Sequence, residues 1–132
     1  MLRSFTIFSA VLLSILVLFG CEKECESPKG IYGDWIWTMT DDNHYGIITT
    51  PEDLGYTVKL SIDDYTFKQF RNDSLVYESQ YDLVIRTDSL NNDRNFIVFP
   101  SGNENEIHVD ESQLILVETI FFINPTSYYK RI

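Results

Sequence analysis

Acidic pairs are the first candidates for chemistry in this 132-residue chain. Asp63 with Asp64, and Glu104 with Glu106, each offer two carboxyls. Glycoside hydrolysis needs two such groups facing one another across about 5–9 Å. Twenty Asp and Glu make neighbouring acids unavoidable here, and both pairs fall in expected turns or strand edges, so solvated surface accounts for them better. His44 and His108 are the only histidines, and each stands apart from any cysteine or second histidine. A zinc site requires three or four ligands. Asp41-Asp42-Asn43-His44 is acidic but lacks the spaced ligands and glycine of a calcium loop, and reads as a hairpin turn. No Ser, His and Asp arrangement carries motif support, and no glycine-rich phosphate loop is present. The expectation is a protein that is not an enzyme, with no catalytic residue, no cofactor and no metal.

Cys21 and Cys25 are the remaining reactive side chains, and what precedes them decides their reading. Phe5 to Phe19 carries no charged residue, while Arg3 and the amino terminus place positive charge ahead of it. That is the pattern of a secretory signal, with the small Gly20 where a peptidase must cut. The apolar run of 15 residues is shorter than the roughly 20 needed to span a bilayer. The acidic stretch that follows supplies no basic stop signal.

"LFGC", Leu18 to Cys21, resembles a bacterial lipobox. The resemblance implies that the Cys21 thiol receives a diacylglyceryl group, that residues 1–20 are removed, and that the new amino terminus is acylated with a fatty acid such as palmitate. The partner so implied is a lipid bilayer, in the envelope of a Gram-negative bacterium and at its outer membrane. One acyl chain alone binds marginally, at about 0.8 kcal/mol per buried methylene, whereas several hold firmly. A lipidated Cys21 leaves Cys25 as a free thiol.

Without residues 1–20, nine basic side chains face 20 acidic ones, a formal charge of −11 on 112 residues. That length suits one domain. The charge repels phosphate backbones and anionic bilayers, so no nucleic-acid partner is expected and no electrostatic hold on a membrane. A monomer is expected. Residues 21–30 are charged and turn-forming and read as an acidic tether; the domain is expected over 31–132.

The elements that must position any site are short. Apolar-rich runs of roughly six to twelve residues alternate with period two and are cut by turn signals, which argues for an antiparallel all-β protein. Expected strands cover 31–40, 55–62, 65–70, 74–85, 95–99, 105–110, 113–122 and 127–132. One helical turn is expected at 49–54, where Thr50-Pro51 precedes two acids. Eight strands close into a barrel or stack as a sandwich. Closure removes exposed edges and leaves an interior wide enough for side chains or one small ligand.

"GDW", Gly33 to Trp35, on the first strand and "YYKRI" on the last resemble the lipocalin and wider calycin barrels. The match extends to the lipocalin-like domains of small bacterial lipoproteins over about residues 30–132, through "TTPEDLGYTVKLSI" and "YTFKQFRNDSLVYESQYDLVI". It implies an up-and-down eight-stranded barrel in which Gly33 and Trp35 close one end beneath Arg131, with Lys130 as a substitute if the register shifts by one. Tyr56, Tyr65, Tyr77 and Tyr81 fall on expected strands. They either pack in a filled core with hydroxyls at its ends, or line a small pocket for an apolar or amphipathic ligand. The function expected is a membrane-anchored binding module, and the alternative is a structural or protein-interaction envelope lipoprotein with a filled barrel. "DSL" at 73–75 and 88–90 resembles a bacterial O-glycosylation signal, which would place sugar on Ser74 or Ser89.

Overall fold

A computed structural model describes residues 30–119 and 124–132. The expected signal segment 1–20, Cys21 and Cys25 lie outside the described residues. Ten strands and one short helix follow in order: β1 Gly33–Asp42, β2 Ile47–Thr49, α1 Pro51–Leu54, β3 Val58–Ile62, β4 Thr66–Arg71, β5 Ser74–Gln80, β6 Asp82–Thr87, β7 Asp93–Val98, β8 Glu104–Val109, β9 Gln113–Glu118 and β10 Thr126–Arg131. All belong to one curled antiparallel sheet, ordered β5-β4-β3-β1-β10-β9-β8-β7-β6, with β2 paired to β1.

Every ladder but one joins strands that are neighbours, or nearly so, along the chain. The exception is β1 with β10, where Trp35 lies opposite Arg131 and Trp37 opposite Tyr129. On its other side β1 pairs with β3, placing Trp35 opposite Leu60. A bulge between Trp37 and Met39 shifts the register, so that Thr40 then opposes Ser127. Such a bulge bends its strand and reverses which side chains point inward.

The two ends of the sheet, β5 and β6, are consecutive in the chain and joined by the single residue Tyr81. Alternation predicts one strand across 74–85; the structure divides it and adds the short β2, so that ten strands appear where eight are expected. The first half of this stretch pairs with β4 and the second half with β7. Tyr81 is buried at the bend, and its hydroxyl donates to the Asp63 carbonyl. Burial, followed by the nearby Tyr32, Asp63 and Asp64, pushes its pKa up to about 12. Among the described residues no ladder joins β5 to β6 directly, and the curled sheet forms a half-barrel.

The turns account for much of the acidity. Asp63 accepts backbone N–H groups from Tyr65 and Thr66 at 2.9 and 2.7 Å, and Asp110 accepts those of Ser112 and Gln113 at 2.8 Å each. Asp88 holds Leu90 and Asn92 in the same way. These side chains satisfy donors that a tight turn would otherwise leave bare. Asn72 and Asp73, with φ of 44° and 64°, make the β4–β5 hairpin, where two left-handed residues match the twist of the strands. Helix α1 is capped by Thr50, whose side chain accepts from the Asp53 N–H while Asp53 accepts from the Thr50 N–H.

The inward rows build the core. Ile31, Trp35, Leu60, Ile97, Ile107 and Leu114 are each at most 2% exposed. Phe67 from β4 meets Phe99, just past β7, edge to face at 5.2 Å, so the two arms of the sheet touch across the interior.

Candidate functional site

The interior has two ends with different chemistry. At one end Trp35 is fully buried and its Nε1–H donates to the Ile31 carbonyl at 2.9 Å. The Arg131 guanidinium lies over the indole at 4.1 Å, a cation–π contact. Its nitrogens also donate to the carbonyls of Glu111 and Tyr32 at 2.9 Å each, and to that of Gly30. One side chain therefore ties the entry to β1, the β8–β9 turn and the last strand together. Gly33 is required beneath it: φ is 128°, and a Cβ there would stand 2.9 Å from an Arg131 nitrogen. Gly33, Trp35 and Arg131 thus form one contact set that plugs this end.

At the other end the interior opens into a cavity of about 510 Å³. Its apolar wall is Phe67, Tyr77, Phe99 and Leu116; its polar wall includes Gln69, Asn105, Glu118 and Ser127, with Tyr129 between them. The inward rows explain this division. On β9 the row runs Leu114, Leu116, Glu118; on β8 it runs Val109, Ile107, Asn105; on β10 it runs Tyr129, Ser127. Each row turns from apolar to polar as it leaves the plugged end. The result is a greasy floor under a hydrogen-bonding mouth.

The polar wall is ordered from behind. Trp37 Nε1–H donates to Thr40 Oγ1 at 3.0 Å, and Thr40 and Ser127 share a hydrogen bond of 2.8 Å. The bulge in β1 makes this chain possible by bringing Trp37 and Thr40 to the same side. Burial raises the Tyr129 hydroxyl pKa well above its ordinary 10, against the opposing hydrogen bond with Ser127. Burial also raises the Glu118 carboxyl above its ordinary 4.5.

Of the four tyrosines expected to share a pocket, only Tyr77 is among the lining residues. Tyr81 is held in the core at the β5–β6 bend. Tyr65 lies in the β3–β4 turn and is 75% exposed. Tyr56 precedes β3 and lies under the Arg71 guanidinium at 4.4 Å. Tyr56 and Tyr65 lie just outside β3 and β4, where alternation along a strand no longer says which way a side chain points. Gln69, Asn105, Glu118 and Ser127 were missed; the signal for them is the point where each inward row turns polar.

Glu104 and Glu106 each face an arginine, and Glu104 also lines the cavity. Glu104 makes a two-pronged pair with Arg86, both contacts 2.7 Å, and Glu106 pairs with Arg94 and lies 3.3 Å from His108. Both arginines also lie over the Phe96 ring. His44 packs edge-on against Tyr45. Among the described residues no group of three His, Cys, Asp or Glu side chains converges. Ser74 and Ser89 are both exposed, the first opening β5 and the second in the β6–β7 turn.

These acids set an expected acid sensitivity. Hydrogen bonds from Arg86 and Arg94 hold Glu104 and Glu106 below 4.5. The Thr66 hydroxyl and backbone N–H groups hold Asp63, Asp88 and Asp110 below 3.8. A carboxyl whose folded pKa is depressed contributes stability above its unfolded value and loses it as pH falls through the folded one. The urea midpoint is therefore expected to hold from pH 7 to about 5 and to fall steadily below about 4.5. Glu118, with the opposite shift, adds stability as pH falls toward 4.5 and nothing further below it. A flat midpoint down to pH 3 would contradict this assignment.

A scan against protein-family models finds no match to this chain, and neither does a search of curated proteins.

Proposed function

We propose that this protein is a non-enzymatic lipoprotein, anchored to the outer membrane through Cys21, that holds a small amphipathic molecule in a lipocalin-like β-barrel. The observation that carries the reading is the 510 Å³ cavity with an apolar floor and a polar mouth. That volume lies within the roughly 300–1,000 Å³ of small-molecule sites, which bury most of a ligand against apolar walls and orient it with a few polar groups.

The barrel reading rests on the meander. Counting β5 and β6 as one strand bent at Tyr81 leaves eight strands in cyclic order, plus the short β2. The Gly33, Trp35 and Arg131 contact set occupies the places that the lipocalin resemblance assigns to it. Lipid attachment rests on Leu18 to Cys21 and the apolar segment before it.

Uptake of the neutral dye N-phenylnaphthylamine provides the test. The purified protein is expected to bind it with micromolar affinity, seen as a rise in dye fluorescence. Ser127→Trp on β10 and Gln69→Trp on β4 each put an indole into the cavity, and each is expected to weaken uptake about tenfold or more. Using two walls guards against a variant that simply misfolds. No uptake by the parent protein, or uptake that neither variant changes, would end the binding reading. What then remains is a protein-docking lipoprotein, which the exposed Tyr45, Ile47 and Ile48 around β2 favour, at 65, 56 and 57% exposure.

A further inference from the structure

We infer that the cavity takes a neutral amide: a molecule with an aryl or alkyl stem against Phe67, Tyr77 and Phe99, and a carboxamide or lactam head held by the side-chain amides of Gln69 on β4 and Asn105 on β8. This rests on the binding reading above and narrows it to one class of molecule.

The two side-chain amides are what the polar wall leaves uncommitted. Gln69 and Asn105 are half-buried, line the cavity, and make no side-chain hydrogen bond to another described residue. The other polar groups of the wall are engaged. Ser127 shares a hydrogen bond with Thr40 and another with the Tyr129 hydroxyl, and the Thr119 hydroxyl donates to the Glu104 carbonyl. Glu104 holds Arg86 through both oxygens, and Glu118 has an interaction of its own within the protein. Asn103 sits in the exposed β7–β8 turn.

The sheet places the two amides on different arms. Gln69 follows Phe67 on the inward row of β4 and lies opposite Tyr77 of β5. Asn105 ends the inward row of β8, opposite Ile97 of β7 on one side and Glu118 of β9 on the other. Phe67, Tyr77 and Phe99 meet one another edge to face, with ring centres 5.2, 6.0 and 6.3 Å apart. A stem lying against these rings brings its head one step further toward the mouth, where the amides are.

Hydrogen-bond chemistry selects the head. A carboxamide offers an acceptor oxygen and a donor NH2 side by side, and a second amide answers both. A carboxylate at neutral pH has no donor for an amide oxygen, and it would meet no Lys, Arg or His among the described lining residues. An ammonium has no acceptor for an amide NH2, and both lining acids already have partners. Either charged head would leave water for neutral groups, which costs more than moving a neutral amide whose hydrogen bonds are replaced.

Four probes with similar stems and different heads test this: hydrocinnamamide, methyl hydrocinnamate, hydrocinnamate and phenylpropylamine, each displacing N-phenylnaphthylamine at neutral pH. The amide is expected to bind about tenfold more tightly than the other three. Gln69→Leu and Asn105→Leu are each expected to weaken the amide about fivefold while leaving the ester within about twofold. Following the ester, and using residues on two arms, separates a lost hydrogen bond from a variant that misfolds. A carboxylate or amine that binds as tightly as the amide would overturn the assignment. So would an amide preference that survives both substitutions, or a bound dye that none of the four displaces. In each of these cases the dye still reports a binding cavity; failure of the parent protein to take up the dye is the separate result that removes the cavity reading, and this inference with it.

Discussion

Replacing Trp35 with alanine is expected to lower the unfolding free energy by about 3–5 kcal/mol, a large part of the 5–15 kcal/mol that holds a typical domain together. The indole is fully buried, so its loss leaves a cavity that a sheet hydrogen-bonded on both sides cannot collapse to fill. It also leaves the Ile31 carbonyl without its 2.9 Å donor and takes away the surface on which Arg131 lies. Urea titration followed by tyrosine fluorescence or circular dichroism reads the change. Arg131→Lys is the sharper companion. It keeps the charge but loses the planar fork that reaches three carbonyls at once, and is expected to cost about 2–3 kcal/mol. The two losses should not add: once the indole is gone, removing Arg131 is expected to cost at least about 0.5 kcal/mol less than in the parent. A silent Arg131→Lys would show that charge alone, and not the fork, secures this end.

Replacing Cys21 with serine is expected to have the largest effect on where the protein is found. Several acyl chains hold a protein to a bilayer almost permanently, whereas the charge of an acidic domain is repelled by an anionic surface. Intact mass measurement should find the parent chain starting at residue 21 and carrying added acyl mass. The Cys21→Ser chain should lack that mass and, once its signal segment is removed, leave the membrane fraction. An unmodified Cys21 in the parent, or a membrane-bound Cys21→Ser chain of mature length, would overturn the anchor.

Some of this architecture was legible because strand periodicity is short-ranged and the plugged end uses distinctive residues. Val58, Leu60 and Ile62 alternate cleanly, and β3 buries all three. Thr50-Pro51 followed by two acids marked the single helical turn. Gly33, Trp35 and Arg131 stood out as residue types, although their meeting depends on β1 pairing with β10 across some 90 residues, which no local pattern shows. The break at Tyr81 was invisible because neither Gly nor Pro marks it and the alternation runs on through both halves. Which half pairs with β4 and which with β7 is a property of the whole sheet. The cavity was misread for a related reason. Aromatic content drew attention to Tyr56, Tyr65 and Tyr81, whereas the mouth is made by the unremarked polar residues Gln69, Asn105, Glu118 and Ser127. Side-chain type alone could not find them; their place along inward rows could.

The Arg131 staple has a consequence for orientation. It draws Gly30 against Arg131 and the β8–β9 turn, so the described domain begins and ends at the plugged end. The cavity lies at the other end of β8, β9 and β10. Gly30 lies nine positions after Cys21, a reach of about 30 Å at full extension. With lipid on Cys21, the proposed anchor and the mouth of the cavity would lie at opposite ends of the domain. On that reading the tether would leave the mouth clear, open to molecules dissolved on the aqueous side.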